Sequence, residues 1–456
     1  MLLNNSKHLD FLFSIFNENF EKDAIIWKDQ NYTYGWLLER IHFWCQLIES
    51  KNILSGTTVA LDGDFSPNSI ALLLALAEKS CIIMPVLYTL NSIQKKAYYE
   101  IAQIDWIFSI NEHDEIQTKC IAKTVTHPLY LTLKEQGHPG LIIFSSGTSG
   151  KPKAILHNLL HLIRKPETKR PSAKMLNFLL FDHMGGVDTL LKTLSSGWTV
   201  VTIQERSPDA ICMAIETHQV EILPVSPTFL NLLLLSQIHQ NYDLSSLKVI
   251  AYGTEPMPES TLFKVKSLFP DVKLFQTYGL SELGVFPVKS KSSDSLWVKI
   301  EGDGIEYRII DGILHTKTPS SMLGYLNEAS PFTEDGWFNT GDAVEMDGEY
   351  LKILGRKSEI INVGGEKVYP IEIESIIQEM NNVGSVTVYG EKNPIMGNVL
   401  CTKVHLLCPE SNKEFLKRLK LYCKDKLQPY KIPVRVIFSE ESLQYSERFK
   451  KARQHQ

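Results

Sequence analysis

The chain has 456 residues, of which 43% are apolar and 22% are charged, and its formal net charge is −5 at pH 7. A chain of this length and composition is expected to form two or three globular domains with ample hydrophobic cores. Its lysines and arginines are scattered apart from a basic C-terminal tip, so nothing in the charge pattern predicts nucleic-acid binding.

The cysteines and the apolar runs indicate a cellular compartment. The seven cysteines lie at positions 45, 81, 120, 212, 401, 408 and 423. Their odd number and the lack of any Cys-x-x-Cys spacing argue against a disulfide framework and a zinc knuckle, and favour a reducing cytosol. No apolar run reaches membrane-spanning length, and the first residues lack a signal-peptide pattern. We therefore predict a cytoplasmic protein without a membrane span.

From about residue 24 to residue 276, short apolar strands alternate with amphipathic helices. The predicted strands are 57–61, 81–86, 106–110, 141–144, 175–181, 199–203, 220–225, 247–252 and 273–277. The clearest predicted helices are 34–50, 68–79, 207–218 and 258–269. This alternation predicts doubly wound, parallel sheets covered by helices on both faces.

After Gly279 the pattern changes to a small antiparallel β region, over residues 297–316 and 343–363. The remaining chain predicts a small α+β unit. Its helices are expected at 370–380 and 412–426, and its strands at 385–389 and 399–406. The composition predicts a boundary near Gly355, which divides the chain into an N-terminal domain (residues 1–355) and a C-terminal domain (residues 356–456).

The segment FSSGTSGKPK, residues 144–153, follows the apolar run of a predicted strand. A loop this rich in glycine, hydroxyl groups and lysine is suited to hold an anion such as phosphate. It is not a P-loop, because Gly150-Lys151 is followed by Pro152 rather than by serine or threonine, and Ser145 stands where the first glycine is required. A plain flexible loop is the alternative.

Three further segments combine polar groups with tight turns. They are YGLSELG (278–284), GWFNTGD (336–342) and GRKSEIINVGGEKVYPIEIE (355–374). Taken singly, each is also compatible with a strand end, a β-turn or a charged hairpin. In this order after the Ser/Thr/Gly-rich loop, they resemble the AMP-forming adenylating superfamily, which includes acyl- and aryl-CoA ligases, peptide-synthetase adenylation domains and beetle luciferases. The resemblance runs from about residue 33 to residue 451 and is closest to the acyl-CoA ligases.

The resemblance implies an α/β fold in which a large N-terminal domain holds the active site and a small, mobile α+β C-terminal domain acts as a lid. It also implies that the β- and γ-phosphates of ATP lie along the first loop, at Ser145, Ser146, Gly147, Thr148, Ser149, Gly150 and Lys151. A carboxylic acid, fatty or aryl, would attack the α-phosphorus and release pyrophosphate. A thiol would then take the acyl group from the adenylate and expel AMP.

The other motifs supply the rest of the implied site. Tyr278 and Gly279 would lie at the adenine, in a pocket also lined by Gly253, Thr254 and Glu255. Ser281 would contact the α-phosphate, Glu282 would hold Mg²⁺, and Asp342 would bind both ribose hydroxyls, with Arg356 near ribose or phosphate. Thr148, Ser281, Glu282 and a lysine from the lid would be the catalytic residues. Charge neutralisation and positioning would do the chemical work, without a protein nucleophile.

The lid lysine is the point where this chain departs from the family pattern Thr-x-x-Gly-Lys. Register places Ser446 on the threonine and Lys450 on the lysine, with Phe449 in place of the glycine. Phenylalanine tolerates the backbone conformations open to glycine poorly. Lys451 is the second candidate for the role, and a solvated basic tail without a catalytic lysine is the third interpretation. The hinge position is Ser358, which is small enough to allow a rotation of the lid.

The segment LLFDHMGGVDTLL, residues 179–191, is ambiguous. Peptide-synthetase adenylation domains carry a similar Phe-Asp whose carboxylate binds a substrate amino group, which would assign that role to Asp182. The spacing to Gly197 resembles the CoA ligases, in which His183 or Asp182 would lie at the acyl pocket. A histidine packed in the core is the alternative.

We therefore predict an ATP-dependent ligase that joins a fatty or aryl carboxylic acid to a thiol, with ATP, Mg²⁺ and CoA as its cofactors. Transfer to the phosphopantetheine thiol of an acyl carrier protein is the alternative within the class. A nucleotide-binding homologue that has lost the adenylation step is the alternative from another class, and Phe449 is its support.

Overall fold

The computed structural model describes residues 8–121, 126–146, 151–165, 171–394 and 396–439, with the backbone only at residue 146. The helices are α1 Asp10–Glu18, α2 Tyr34–Ser50, α3 Pro67–Glu78, α4 Ser92–Ile101, α5 Pro128–Gln136, α6 Met184–Ser195, α7 Pro208–His218, α8 Pro227–Ser236, α9 Glu259–Leu268, α10 Pro370–Ile377 and α11 Asn412–Cys423.

The strands fall into a first set up to residue 276 and a second set after it. The first set is β1 Asp23–Trp27, β2 Gln30–Thr33, β3 Thr58–Asp62, β4 Ile82–Val86, β5 Trp106–Ile110, β6 Ile116–Cys120, β7 Gly140–Ser146, β8 Pro152–Asn158, β9 Lys174–Leu176, β10 Thr199–Val201, β11 Ile222–Val225, β12 Val249–Tyr252 and β13 Lys273–Gln276. The second set is β14 Tyr278–Leu280, β15 Gly284–Phe286, β16 Val288–Ser290, β17 Trp297–Ile300, β18 Glu306–Ile310, β19 Ile313–Lys317, β20 Gly324–Tyr325, β21 Phe338–Asp347, β22 Tyr350–Arg356, β23 Ile361–Val363, β24 Glu366–Val368, β25 Val383–Asn393, β26 Gly397–Leu406 and β27 Arg435–Phe438.

Two seven-stranded sheets form the N-terminal frame. The first sheet has the order β13-β12-β11-β9-β10-β1-β2, and its neighbours pair in parallel except at the β1–β2 hairpin. The second sheet has the order β20-β8-β7-β4-β3-β5-β6, with a parallel centre and antiparallel edges. The parallel sheets predicted from the alternating pattern are therefore confirmed, and the antiparallel edge strands are additions to it.

Helix boundaries follow local capping residues. Helix α2 begins after Thr33, whose hydroxyl oxygen accepts a hydrogen bond from the backbone N–H of Trp36 at 3.1 Å. Helix α3 begins with a capping box between Ser66 and Ser69, and α7 is capped by the side chain of Ser207. These caps satisfy backbone donors that a helix start leaves unpaired, which explains why the predicted starts of these helices are close to the observed ones.

The strand predicted over residues 175–181 is wrong beyond its first residues, because β9 ends at Leu176. The apolar residues that follow pack into the core from a loop. The ring centroids of Phe178 and Phe229 are 4.7 Å apart, and those of Phe181 and Phe65 are 4.8 Å apart. The chain then turns tightly into α6. A Cβ atom at Gly186 would lie 2.1 Å from the carbonyl oxygen of Leu180, so only glycine allows this approach.

The third sheet confirms the antiparallel region predicted after Gly279. It has six strands in the order β16-β17-β22-β21-β19-β18, and each neighbouring pair runs antiparallel. In the β21–β22 ladder, Asp342 is the direct partner of Arg356. Two of the polar residues predicted for the site are therefore placed side by side by strand register.

The C-terminal part is a smaller α+β unit, as the sequence predicts. Its three-stranded sheet, in the order β25-β26-β27, packs with α10 and α11 around a separate hydrophobic core that includes Val386, Val404 and Phe415. This unit contacts the N-terminal part through few polar bonds. The amide of Asn231 donates to the carbonyl oxygen of Gly384 at 3.3 Å, and Lys264 donates to a carbonyl of α10's C-terminal cap at 3.5 Å.

Within the described ranges, no helix is both long enough and apolar enough to cross a membrane. All seven cysteines carry free thiols.

Candidate active site

A cavity of about 890 Å³ opens at the carboxyl ends of the parallel strands of the first sheet. Helix α6 covers one side, and the β14–β15 hairpin and the start of the C-terminal part close the other. Ligands in open α/β sheets bind outside the carboxyl ends of the strands, so this is the expected place for a substrate. Of the residues predicted for the site, the cavity wall includes Ser145, His183, Gly253, Thr254, Tyr278, Gly279, Ser281, Glu282 and Arg356.

A smaller cavity of about 240 Å³ adjoins the first, and Thr254, Tyr278 and Arg356 line both. Several buried polar atoms on its wall have no hydrogen-bond partner among the described residues. They are Thr228 Oγ1, Thr254 Oγ1, Gln276 Oε1 and Ser385 Oγ. Buried polar atoms are normally hydrogen-bonded, and a heteroaromatic ligand in this cavity would supply the missing partners.

Tyr278, Asp342 and Arg356 form one hydrogen-bonded network, in which Tyr278 and Asp342 are buried and Arg356 is exposed. The Tyr278 hydroxyl donates to Oδ2 of Asp342 at 2.6 Å, and Arg356 Nε donates to Oδ1 at 3.0 Å. Burial raises the pKa of the Asp342 carboxyl, while Arg356 and the Tyr278 hydroxyl lower it. Burial and the Asp342 carboxylate raise the pKa of Tyr278 well above 10, so this hydroxyl stays a donor at neutral pH. Both oxygens of the predicted ribose ligand are thus already oriented by protein donors.

The ring of Tyr278 stacks on Phe286, with centroids 5.5 Å apart and an interplanar angle of 18°. The β14–β15 hairpin holds this pair, because Tyr278 and Phe286 are direct strand partners. Phe286 therefore fixes the plane of the tyrosine that the family resemblance assigns to adenine. Sequence reasoning did not single out Phe286.

Glu282 and Ser281 are fixed by partners from the second sheet. Glu282 Oε1 accepts a hydrogen bond from the hydroxyl of Tyr325 at 2.9 Å. The backbone oxygen of Ser281 lies 2.7 Å from Nε2 of His157, which must be the donor because a carbonyl oxygen only accepts. Both turn residues are thereby positioned for a ligand in the larger cavity.

His157 is fully buried, and its burial lowers the imidazole pKa to about 4. The ring is therefore neutral at pH 7, and its single proton is on Nε2, from which it donates to the Ser281 carbonyl. Because the folded-state pKa lies below the usual value near 6.5, the unfolded chain binds this proton more readily.

The free energy of unfolding should consequently fall as the pH is lowered from 6.5 to about 4. The contribution of His157 to this fall is on the order of 3 kcal/mol. His157→Gln keeps a donor for the Ser281 carbonyl but does not titrate, so its free energy of unfolding should decline less over that range. Urea unfolding of both proteins at a series of pH values measures the difference. Parallel curves for the two proteins would show that His157 is not the titrating group.

The segment Gly253-Thr254-Glu255 is shaped by its backbone. Thr254 has a φ of +72°, a left-handed conformation that is strained for a β-branched residue. A Cβ atom at Gly253 would lie 2.0 Å from Thr277 Oγ1, so the strand ends approach too closely for any side chain. Glu255 Oε1 accepts from the backbone N–H of Thr228 at 2.7 Å, at the start of α8. Strain of this kind is frequent at ligand sites.

In the segment of residues 179–191, the two candidates for the acyl pocket, His183 and Asp182, lie in different places. His183 lies on the cavity wall and caps α6, with Nδ1 accepting from the N–H of Gly185 at 3.1 Å. Asp182 is 6% exposed and lies outside the cavity wall.

Strands β7 and β8 flank the first motif and pair in antiparallel orientation, with Ser145 opposite Lys153. Ser145 and Lys153 line the cavity, and Lys151 is exposed. Gly147, Thr148, Ser149 and Gly150 lie outside the described residues, as do Ser446, Phe449, Lys450 and Lys451 and the side chain of Ser146.

The cavity residues that sequence reasoning did not assign to the site include Lys153, Asp188, Lys192 and Tyr325. Lys153 lies on β8, which was not among the predicted strands, so its direction toward the cavity could not be read from side-chain alternation. The spacing of Asp188 and Lys192 is informative only once α6 is recognised as a helix. Tyr325 lies on a strand of two residues, which has no usable sequence pattern.

Family models match both parts of the chain. The AMP-binding enzyme model matches residues 15–325, and the model of the AMP-binding enzyme C-terminal domain matches residues 372–450. The chain is 27% identical over 473 aligned positions to an indoleacetate–CoA ligase of Aromatoleum aromaticum, with 92% of each chain covered. It is 26% identical over 457 positions to a 2-succinylbenzoate–CoA ligase of Bacillus cytotoxicus, again with 92% of each covered.

The fold is similar to that of a solved structure of o-succinylbenzoate CoA synthetase from Bacillus subtilis in complex with its acyl-adenylate intermediate. The TM-score is 0.75, the sequence identity is 22%, and 94% of each chain is covered.

Proposed function

The chain belongs to the AMP-binding enzyme family, and on that premise we propose that it activates a carboxylic acid with ATP and passes the acyl group to a thiol. The observation that supports this most strongly is the convergence of separate motifs on one cavity. Tyr278, Glu282 and Arg356 come from distant parts of the sequence, yet they line the same wall. Asp342 joins them through Tyr278 and Arg356.

In this proposal the adenine lies in the smaller cavity beside Tyr278. It would form hydrogen bonds with the buried polar atoms of the wall that have no partner among the described residues. The ribose hydroxyls donate to Asp342, whose carboxylate oxygens have lone pairs beyond those used by Tyr278 and Arg356. The phosphates run toward Ser145 and the Ser/Thr/Gly-rich segment that follows it in the sequence. Thr148, Ser149 and Lys151 are proposed phosphate contacts on the basis of sequence position.

The reaction needs positioning and charge neutralisation rather than a protein nucleophile. A carboxylate oxygen of the acid forms a bond to the α-phosphorus in line, the bond from that phosphorus to the bridging oxygen breaks, and pyrophosphate leaves. Ser281 and a lysine of the lid, proposed as Lys450, meet the charge that develops on the α-phosphate. The thiol then attacks the acyl carbon, and AMP leaves with the former carboxylate oxygen.

Glu282 is the proposed ligand for Mg²⁺. Its carboxylate lies on the cavity wall and is steadied by Tyr325, while no three potential metal ligands of the described chain converge to form a cage of their own. This fits Mg²⁺, which proteins commonly hold through one or two carboxylates together with substrate phosphates and water. When bound, the ion neutralises charge on the phosphates.

The C-terminal part is the proposed lid, with the domain boundary between residues 355 and 356. Ser358 lies in a short turn on the cavity wall, immediately after the last strand of the third sheet, where a rotation disturbs no strand pairing. The turn between β23 and β24, at Gly364 and Gly365, would move toward the thiol path. The sparse polar contacts of the lid with α8 and α9 are compatible with such a movement.

CoA is the proposed acceptor, and a carrier-protein phosphopantetheine is the alternative within the class. The relatives reported above are named as CoA ligases, which favours CoA. Both are named for aryl or arylalkyl acids, so an aryl acid is favoured over a fatty acid. The free thiols favour the cytoplasm as the place of action. A non-catalytic homologue remains the alternative from another class, on the strength of Phe449.

Exchange of labelled pyrophosphate into ATP tests the proposal. Exchange should require Mg²⁺ and a carboxylic acid, and within a panel of fatty, aryl and amino acids the amino acids should be poor substrates. Exchange with an amino acid but with no fatty or aryl acid would overturn the assignment of the acyl pocket. ATP binding without exchange for any acid would favour the non-catalytic alternative.

Asp342→Asn should weaken ATP binding about 10- to 100-fold without changing the preference among acids. The substitution keeps an acceptor for Tyr278 but removes the charge that strengthens the hydrogen bonds from ribose. Calorimetric titration with a non-hydrolysable ATP analogue measures the affinity. Asp347→Asn, at the exposed end of the same strand, is the control. Equal affinity for ATP in a folded Asp342→Asn protein would show that the ribose lies elsewhere.

A further inference from the structure

A further cavity, of about 440 Å³, lies beside the β1–β2 hairpin. The hairpin, the first turns of α2, the start of α3 and the loop between β5 and β6 form its wall. None of its described wall residues lines either of the two cavities of the candidate active site. Its volume is within the range of about 300–1,000 Å³ that is typical of small-molecule sites. It is therefore a candidate for a second binding site.

Three aromatic side chains form the apolar part of this wall. Trp27 ends β1 and is 8% exposed, while Tyr32 lies on β2 and Trp36 on the first turn of α2. The ring centroids of Tyr32 and Trp36 are 4.6 Å apart, with an interplanar angle of 63°. Rings that are held in place by their neighbours and come from three elements suit a planar, aromatic ligand.

Arg40 adds a positive charge to the wall. It lies four residues after Trp36 on α2, so the two side chains are on one face of the helix. Its Cζ atom is 5.5 Å from the ring centroid of Trp36 and 5.2 Å from that of Phe43. Its Nε atom has no hydrogen-bond partner among the described residues, and no described carboxylate forms an ion pair with it. The two rings restrict the guanidinium, so an anion would bind it with little loss of side-chain freedom.

Asp114, the acidic residue of the wall, is used by α3. Its carboxylate accepts hydrogen bonds from the Ser66 hydroxyl at 2.5 Å, from the backbone N–H of Asn68 at 2.9 Å and from the Asn68 side chain at 3.0 Å. A carboxylate is stabilised at the start of a helix, where backbone donors lack partners within the helix. Asp114 therefore holds the loop to α3 and is not the partner of Arg40.

Lys28 is the second cation of the wall. Its Nζ atom lies 4.7 Å from the ring centroid of Trp27 and donates to the carbonyl of Glu112 at 2.5 Å. With its exposed histidine neutral, the described wall carries two cations, Lys28 and Arg40, and one carboxylate, Asp114. This surplus of one positive charge matches a ligand with one negative charge.

The wall discriminates among ligands that carry an aromatic ring. A cation would compete with Lys28 and Arg40 for the ring faces and would meet them as like charges. A neutral arene would cover Arg40 without pairing its donors, which is unfavourable. A nucleoside triphosphate has more negative charge than the wall balances. The carboxylate of an aryl acid accepts two hydrogen bonds from one guanidinium while its ring packs on the aromatic side chains.

We propose that this cavity is a second binding site, for an aryl monocarboxylate whose carboxylate pairs with Arg40. An arginine beside an aromatic residue is common on the outer face of a helix, but here rings from two other elements complete a cavity around it. The site is separate from the candidate active site and does not depend on the proposed function.

Fluorine NMR of the full chain labelled with 5-fluorotryptophan tests the proposal. The chain has seven tryptophans, two of which line this cavity, and no described wall residue of the candidate active site is a tryptophan. The signals of Trp27 and Trp36, assigned with Trp27→Phe and Trp36→Phe, should shift and saturate as 2-naphthoate is added. A ligand in the candidate active site would leave both signals in place.

Arg40→Met should raise the Kd of 2-naphthoate about 10- to 100-fold, the range expected for hydrogen bonds to a charged group. Arg40→Lys keeps the charge without the planar fork and should raise the Kd by a smaller factor. Arg308→Met is the matched control and should leave the Kd unchanged, because Arg308 stacks on Trp337 at 4.2 Å outside all three cavities. Pyrophosphate exchange by Arg40→Met with an accepted acid should equal that of the unaltered protein.

Three comparison ligands test the chemistry of recognition. 2-Naphthamide lacks the charge, cyclohexanecarboxylate lacks the aromatic ring, and AMP carries a phosphate group, so each should bind more weakly than 2-naphthoate. Equal affinity for the amide or for the cyclohexane acid would overturn the proposal, because the charge or the ring would not be recognised. Tighter binding of AMP would overturn it in favour of a nucleotide site. Unshifted Trp27 and Trp36 signals with every ligand, or loss of pyrophosphate exchange in Arg40→Met, would exclude a separate site.

Discussion

Lys450→Ala should reduce the rate of adenylate formation about 10²–10³-fold, the usual cost of removing one group that stabilises developing charge in a preorganised site. The same variant should convert a supplied acyl-adenylate and thiol to thioester at close to the normal rate. After adenylation the lid is expected to rotate about Ser358 and carry the lysine away, so the second step does not use it. Pyrophosphate exchange reports the first step, and thioester formation from synthetic acyl-adenylate reports the second.

Lys451→Ala is the matched control, because it removes the same charge from the neighbouring position. It should behave like the unaltered protein in both steps, since adjacent side chains cannot reach the same point. A selective loss in Lys451→Ala would mean that the register across Phe449 is shifted by one residue. Normal adenylation in both variants would show that neither lysine of the tail is catalytic. The tail would then be a solvated basic segment, and the non-catalytic alternative would be strengthened.

Glu282→Gln should lower adenylate formation by about 10²-fold or more and raise the Mg²⁺ concentration needed for half-maximal exchange. The amide keeps the shape of the side chain and an acceptor for the Tyr325 hydroxyl, but it removes the charge offered to the ion. The measurement is pyrophosphate exchange as a function of Mg²⁺ concentration at fixed ATP and acid.

Glu334→Gln, at an exposed glutamate of the turn before β21, removes the same charge outside the cavity and should change neither value. A Glu282→Gln protein with an unaltered Mg²⁺ requirement would exclude this carboxylate as the metal ligand. Loss of rate together with loss of thermal stability would point to the Tyr325 contact instead, and Tyr325→Phe would then reproduce it.

The parts of the fold that sequence predicts best are those set by local interactions. Strand β5, Trp106–Ile110, and helix α2, Tyr34–Ser50, occur at the predicted positions. In α2 the Thr33 cap and the apolar periodicity indicate the same start, so no distant contact is needed to place it. The parallel order of the central strands follows similarly from the alternation of strand and helix.

Helix α6 shows where local signals fail. Gly185 and Gly186 lower the helix propensity of its first turn, and the apolar residues before it are typical of a strand. Both features are explained by tertiary packing, because Gly186 lies against the Leu180 carbonyl and Phe178 and Phe181 are buried from a loop. The close approach that demands glycine cannot be recognised before the fold is known.

The candidate site also has features that the sequence predicts and features that it does not. The order of the motifs indicates which segments belong together, and the structure brings Tyr278, Glu282 and Arg356 to one cavity. The bonds from Tyr278 and Arg356 to Asp342 depend on strand register and hairpin pairing, which a single sequence does not specify. Asp188 and Lys192, which line the cavity from α6, were missed because α6 itself was missed.

The transfer of one carboxylate oxygen from the acid to AMP tests adenylation most directly. The protein is incubated with ATP, Mg²⁺, CoA and an accepted acid labelled with ¹⁸O in both carboxylate oxygens, and the products are analysed by mass spectrometry. Attack of the carboxylate on the α-phosphorus, followed by attack of the thiol on the acyl carbon, must leave one ¹⁸O in AMP and one in the thioester. AMP without ¹⁸O, or ADP with labelled phosphate, would contradict an acyl-adenylate pathway.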